Sequence, residues 1–277
     1  MKLLISILAV TILVFGVTTS LRADLNDGVI AAWTFDDGKV TDAVGKAHGE
    51  LFKAAKIVGN GKFGKALDVD GSDETRADIE FNDDLEAAIE EPHTVSMWLY
   101  VRNGANHAGV WKGEKIGWGA HFTFRLVTTN NTTMTFGTTT GGAQNYFHAE
   151  NCIELEKWYH VCQVADGKQA FAYVTADGDK LTLPPSARNN PHPAPTLYNL
   201  FPDRPLELGA GRGIGGNDGN DMFLDALIDD VIIWNRALSE DEVADLASGA
   251  RPNKALAVKA EGKLTTIWGK VKSYHHR

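Results

Sequence analysis

The sequence predicts an all-β protein, a sandwich or barrel of antiparallel strands with one short helix near the C-terminus. Three observations carry this. Apolar and polar residues alternate at period two in short segments along the chain, and clusters of Gly, Asn and Asp separate those segments. Only one segment carries a full set of helix start and stop signals.

Taken in order, Val29–Phe35 is a strand closed by the turn Asp36-Asp37-Gly38. Ala66–Gly71 and Ala77–Phe81 alternate cleanly. His93–Val101, rich in β-branched and aromatic residues, is the strongest strand. Further strands are read at His121–Thr128, Thr132–Thr138, Trp158–Val164, Gln169–Thr175, Leu206–Leu208 and Ile228–Trp234. Asp83–Ile89 has room for one short helical turn. Ser239–Leu246 is the well-marked helix: Ser239 sits at the N-cap, Glu242 at the capping-box position, and Gly249 and Pro252 stop it. The proline-rich stretch Pro184–Pro195 reads as an extended surface loop, and no internal repeat is visible.

The composition is that of an ordinary globular protein: 43% hydrophobic and 23% charged over 277 residues. A formal net charge of −9 argues against a nucleic-acid partner. The balance is uneven, because residues 251–277 hold seven Lys/Arg and one Glu, a local +6 that leaves −15 for residues 1–250. Met1-Lys2, an apolar run from Leu3 to Val17 and a small residue, Ala23, before Asp24 read as a secretory leader. No second stretch is apolar enough to cross a bilayer. The organisation expected is therefore a leader at 1–23, one domain at 24–250 and a basic tail at 251–277. Cys152 and Cys162 are the only cysteines. For an exported chain an even pair reads as a disulfide, the alternative being two small buried hydrophobes.

The segment order resembles the laminin-G-like jelly-roll family of concanavalin A-like sandwiches. The residues that carry the resemblance are Ala32-Trp33-Thr34-Phe35-Asp36 with Asp42–Gly49, then Val58–Leu67 with its Gly-Lys-Phe-Gly-Lys-Ala-Leu core, and Thr94–Leu99. Trp158-Tyr159-His160-Val161 and Ile228–Glu242 complete it. The match runs from about residue 29 to 248. It implies an antiparallel jelly-roll β-sandwich in which the first and last strands lie close together. It also implies a structural calcium ion there, held by Asp36, Asp42 and Asp229 or Asp230, with carbonyls from Gly45 to His48 completing a shell of hard oxygen donors.

The residues themselves support plain structural roles for most conspicuous side chains. Trp33, Phe35, Trp98, Trp158 and Trp234 lie on strands among aliphatic residues and read as core between the sheets. His160 reads as a hydrogen-bonded structural histidine. The loop Gly211–Gly216 fits G-x-G-x-x-G, but no helix follows it, so a dinucleotide reading fails. The acidic stretch Gly215–Asp221 is a single copy of a pattern that needs stacked copies. No E-x-D-x-(x)-E pair of glucanase carboxylates, G-x-S-x-G elbow, H-E-x-x-H pair or P-loop lysine is present.

For binding, the segments Asn103–Ala120, with Trp111 and Trp118, and Thr138–Asn151, with Asn145 and Tyr146, read as long loops holding aromatic rings and amides. Such groups suit a glycan, although loop aromatics also pin loops to a sandwich. Asn130 and Asn131 each open an N-x-T sequon. The function expected is an exported, non-enzymatic binding module for a glycan or an extracellular protein. The rivals are a structural or adhesive surface component without a small-ligand pocket and, third, a glycoside-acting enzyme.

Overall fold

The computed structural model describes residues 24–256 other than 81, 91, 104–106, 117–118, 130–131, 141–142, 182–189, 194–203 and 212–221. The leader, the sequons, Trp118, most of the Gly-rich and proline-rich stretches and the tail from 257 lie outside the described residues. In chain order the strands begin β1 (Val29–Trp33), β2 (Gly49–Phe52), β3 (Lys56–Val58), β4 (Ala66–Asp70) and β5 (Arg76–Ile79). Helix α1 (Asp83–Glu90) precedes β6 (His93–Asn103), β7 (His107–Ile116), β8 (Gly119–Thr129), β9 (Thr133–Thr140) and β10 (Ala143–Ala149). Then come β11 (Trp158–Ala165), β12 (Gln169–Ala176), β13 (His192–Pro193), β14 (Leu206–Leu208), β15 (Ala210–Gly211), β16 (Met222–Phe223) and β17 (Asp225–Trp234). The chain closes with helices α2 (Glu240–Ala247) and α3 (Asn253–Leu256).

Two antiparallel sheets face each other. The first runs β13-β12-β11-β6-β17-β4-β3 with β1 also on β17; the second runs β10-β9-β8-β7-β14-β5-β2. Period-two alternation decides which side chains lie between them. Along β6, Val95, Met97, Leu99 and Val101 join the central cluster with Val110, Phe136, Leu206 and Leu208 of the second sheet. The intervening residues, Ser96, Trp98, Tyr100 and Arg102, therefore face away from it. A second apolar cluster lies on that outer side, where Trp234, Ile232 and Cys162 pack under Val243 and Leu246 of α2.

The helix is built as its sequence specifies. Glu242 N–H donates to Ser239 Oγ at 3.3 Å and Ser239 N–H donates back to the Glu242 carboxylate at 2.8 Å. Arg236 adds a guanidinium to the same carboxylate, and the Ser239 and Arg236 bonds together hold its pKa below the usual range against burial.

Several expectations change. Of the five aromatics assigned to the core between the sheets, Trp33 and Phe35 are there, whereas Trp234 lies beneath α2, outside the sandwich. Trp98 and Trp158 also sit on outward-facing positions, and Trp158 is only half-buried. The stretches read as long binding loops are largely strands: β7 pairs with β8 and β10 pairs with β9. The fold also continues past residue 250, since Ala255 of α3 is fully buried in the cluster with Trp234.

Candidate functional site

The carboxylates expected to hold calcium lie on the seam where strand partners change. Residues Asp225–Ile228 of β17 pair with β4, and Val231–Trp234 pair with β1. The hand-over falls on Asp229-Asp230, with a register shift against β6 and Asp230 in the left-handed region at φ 46°. The sequence thus located the meeting of first and last strands correctly. What fills the seam is a guanidinium. Arg251 binds Asp230 through both Nε and Nη2 and reaches Asp36 Oδ2 at 3.5 Å. The other carboxylate atoms are occupied by the backbone: Lys65 N–H donates to Asp36 at 3.1 Å, Phe63 N–H to Asp229 at 2.9 Å and Asp230 N–H to Asp229 at 2.8 Å.

Asp42 belongs to a different construction. Its carboxylate accepts from the backbone N–H groups of Ala32, Val44 and Ala47 at 3.0–3.1 Å, which ties the turn after β1 back onto that strand. Two of the carbonyls expected to complete a calcium shell also accept hydrogen bonds. Ala47 O accepts from Trp33 Nε1 at 2.7 Å, and Lys46 O accepts from His48 N–H at 2.9 Å. The four carboxylates therefore do not fit one calcium ion, which needs free oxygen donors converging on a point. Among the described residues no group of three or more His, Cys, Asp or Glu converges in that way.

Electrostatics follow from burial. Desolvation, then repulsion from Asp230, pushes Asp229 up to about 8, and desolvation opposed by Arg251 leaves Asp230 at about 6. Two glycines of the Gly-Lys-Phe-Gly-Lys motif make the seam possible. A Cβ on Gly64, at φ +74°, would lie 2.3 Å from Asp36 Oδ1, and one on Gly61 would lie 2.8 Å from Asp229 Oδ2.

Cys152 and Cys162 do not form the expected bridge. Both are free, Cys162 facing outward into the cluster under α2 while Cys152 packs against the cluster between the sheets. Alternation along β11 sends Cys162 to the opposite side of the sheet from Cys152, so no disulfide geometry is available. Burial pushes the Cys152 thiol up to about 11 and the Cys162 thiol higher still, which marks both as inert.

The expected glycan residues divide. Trp111 is fully buried on β7 opposite Glu207 of β14 and offers no exposed ring. Asn145 and Tyr146 lie on β10, opposite Thr138 and Gly137, and their side chains, like Trp118, lie outside the described residues. His160 is the structural histidine expected. It is fully buried, its Nε2 is 2.9 Å from Ser96 Oγ, and desolvation lowers its pKa to about 3.

A cleft that sequence reasoning missed opens beside the Asp42 turn. It has a volume of about 560 Å³ and is lined by Thr34, Asp37, Thr41, Lys46, His48 and Asp84 of α1 together with Asp42. Its walls present hydroxyls, carboxylates, an ammonium and an imidazole on a turn braced by the three Asp42 bonds. Asp42 and the Gly45–His48 turn were legible as a candidate site, but the cleft itself was not, because Asp84 of α1 approaches that turn only in the folded chain.

A family model described as the concanavalin A-like lectin/glucanases superfamily matches residues 73–244. The chain belongs to this superfamily. Among solved structures, domain 4 of AbnA, an extracellular GH43 arabinanase from Geobacillus stearothermophilus in complex with arabinotriose, is 15% identical with a TM-score of 0.55, over 80% of this chain and 99% of that one. The binding domain of Paraclostridial Mosquitocidal Protein 1 is 16% identical with a TM-score of 0.56, over 81% of this chain and 52% of that one. The binding domain of botulinum neurotoxin DC in complex with rat synaptotagmin II is 11% identical with a TM-score of 0.55, over the same shares. The chain spans about half the length of both toxin domains, and likenesses at these identities establish the shared sandwich fold. No curated protein matches the sequence.

Proposed function

We propose that this superfamily member is an exported, non-catalytic binding module whose ligand is carbohydrate. The observation that carries the reading is the cleft at the Asp42 turn, where Thr34, Thr41, Asp37, Asp84, Lys46 and His48 surround about 560 Å³. Sugar hydroxyls both donate and accept, and this mixture offers both roles on a braced turn. The arabinotriose bound by AbnA domain 4 supports the same ligand class for a sandwich that this chain covers almost end to end. Export is supported by the leader pattern at Met1–Ala23. A protein ligand is the second reading, favoured by the synaptotagmin complex of the neurotoxin domain.

A glycan array probed with the full chain, with and without chelator, tests this. Binding to at least one glycan class, unchanged by chelator, is expected. A blank array together with binding to a cell-surface protein would move the assignment to the second reading.

A further inference from the structure

We infer that the outer face of the first sheet carries an aromatic platform for a neutral polysaccharide chain, centred on Tyr100 and Trp158. The inference rests on the carbohydrate reading above but assigns a site away from the cleft.

The strand registers place Asp68 of β4, Leu227 of β17, Tyr100 of β6 and Trp158 of β11 opposite one another in a single row. Their neighbours along each strand, Leu67 and Val69, Ala226 and Ile228, Leu99 and Val101, and Tyr159, all belong to the cluster between the sheets. Alternation therefore turns the row to the outer side of the sheet, where Leu227 is itself covered and Tyr100 and Trp158 are the aromatic residues that keep open surface. At the usual strand spacing it extends about 14 Å.

The Tyr100 and Trp158 rings lie 5.5 Å apart, tilted by 53°, and both side chains are half-buried, so each keeps part of its surface open. The Gly-Lys-Phe-Gly-Lys loop covers the adjacent row and makes a wall beside the platform. Phe63 packs edge-on to Trp98 at 5.7 Å, Lys62 Nζ lies 4.6 Å from the same ring, and Lys62 pairs with Asp177 at 2.5 Å.

Charge decides the class of occupant. Arg102 is bound by Asp68 at 2.7 Å and Asp225 at 2.5 Å, Lys56 by Asp68 at 3.5 Å, and Lys62 by Asp177. Among the described residues these three cations are matched by three carboxylates, so the surface is close to neutral and offers a polyanion no unpaired base. An uncharged chain suits it better. The apolar C–H faces of its sugars would stack on the two rings, and its hydroxyls would reach the ion pairs at either end.

The test is affinity electrophoresis of the full chain in gels holding glucan, xylan, arabinan, mannan or polygalacturonate. Four proteins are run: wild type, W158A, Y100A and the cleft variant T41A/D84A. Near-UV circular dichroism shows that each remains folded, and W158F is the rescue variant. The inference expects retardation by at least one neutral polymer, at least tenfold weaker for W158A and Y100A and largely restored in W158F. Retardation lost in T41A/D84A but unchanged in W158A and Y100A would overturn the platform and leave the carbohydrate reading standing. Retardation by polygalacturonate alone would overturn the neutral ligand. No retardation in any gel would overturn both readings. Concentration-dependent dimers abolished by W158A, without retardation, would reassign the surface to a second copy of the chain.

Discussion

Asp230 and Arg251 form the tightest charge pairing of the seam, and the carboxylate is 3% exposed. Removing Arg251 would leave two partly desolvated carboxylates, Asp230 and Asp36, facing each other without a cation. Arg251→Ala is expected to cost about 3 kcal/mol, with Arg251→Lys recovering only part because an ammonium cannot make the two-pronged contact. Urea denaturation measures this, and a loss below about 0.5 kcal/mol would show that the pair adds nothing net. Asp229 predicts a pH effect of defined sign. Its folded pKa of about 8 stands above the unfolded value of 3.8, so the folded state holds the extra proton between them. Its contribution is fully present below pH ~4 and is lost as pH rises towards 8. Asp229→Asn should remove that decline, so the melting temperature of the variant should gain on wild type as pH rises from 4 to 8. His160 works in the opposite sense. Its folded value of about 3 lies below 6.5, and stability falls as pH drops through that window. A variant-to-wild-type difference that is flat with pH would refute the assignment to Asp229.

At the scale of elements, caps and glycines make separable predictions. Ser239→Ala removes the hydroxyl half of the capping box of α2, leaving the backbone N–H of residue 239 on the Glu242 carboxylate, and is expected to cost about 1 kcal/mol. Because α2 roofs Trp234 and Cys162, hydrogen exchange should rise first in that outer cluster; uniform acceleration across β6 would contradict it. Gly64→Ala should cost more than a cap, because the new Cβ would displace Asp36 and hold a left-handed backbone as well. These elements also mark how far the sequence could be read. The strands β1, β4, β6, β11 and β17 and the capped helix α2 were legible because alternation, β-branched residues and capping chemistry are local signals. β7, with Gly109 and Gly113 and with Lys112, Glu114 and Lys115 in its second half, has a loop-like composition and becomes a strand only by pairing with β8 and β14. The sides of the first sheet were misread for the same reason. Alternation shows which residues share a face with Trp98, Trp158 or Trp234 along each strand, but not which face lies inside, which depends on the strand registers and on where the second sheet packs. Likewise the acidic seam was legible as a meeting of strands, while its cation, Arg251, lay in a segment that reads as a tail.

For the whole molecule, the fold supplies two sheets closed by side-chain packing, and its seam carboxylates are bridged by the chain's own Arg251. Chelator should therefore leave the melting temperature unchanged, and a fall of several degrees would mean that a bound ion contributes after all. Among the described residues no helix is long and apolar enough to cross a membrane. The carbohydrate reading then makes one demand on the molecule: it must hold a sugar chain without transforming it. The direct measurement is isothermal titration of the full chain with neutral oligosaccharides, followed by chromatography of the ligand recovered from the cell. The account predicts saturable heat with at least one oligosaccharide, recovered at its original length. No heat with any of them, or recovery of shortened products, would contradict it.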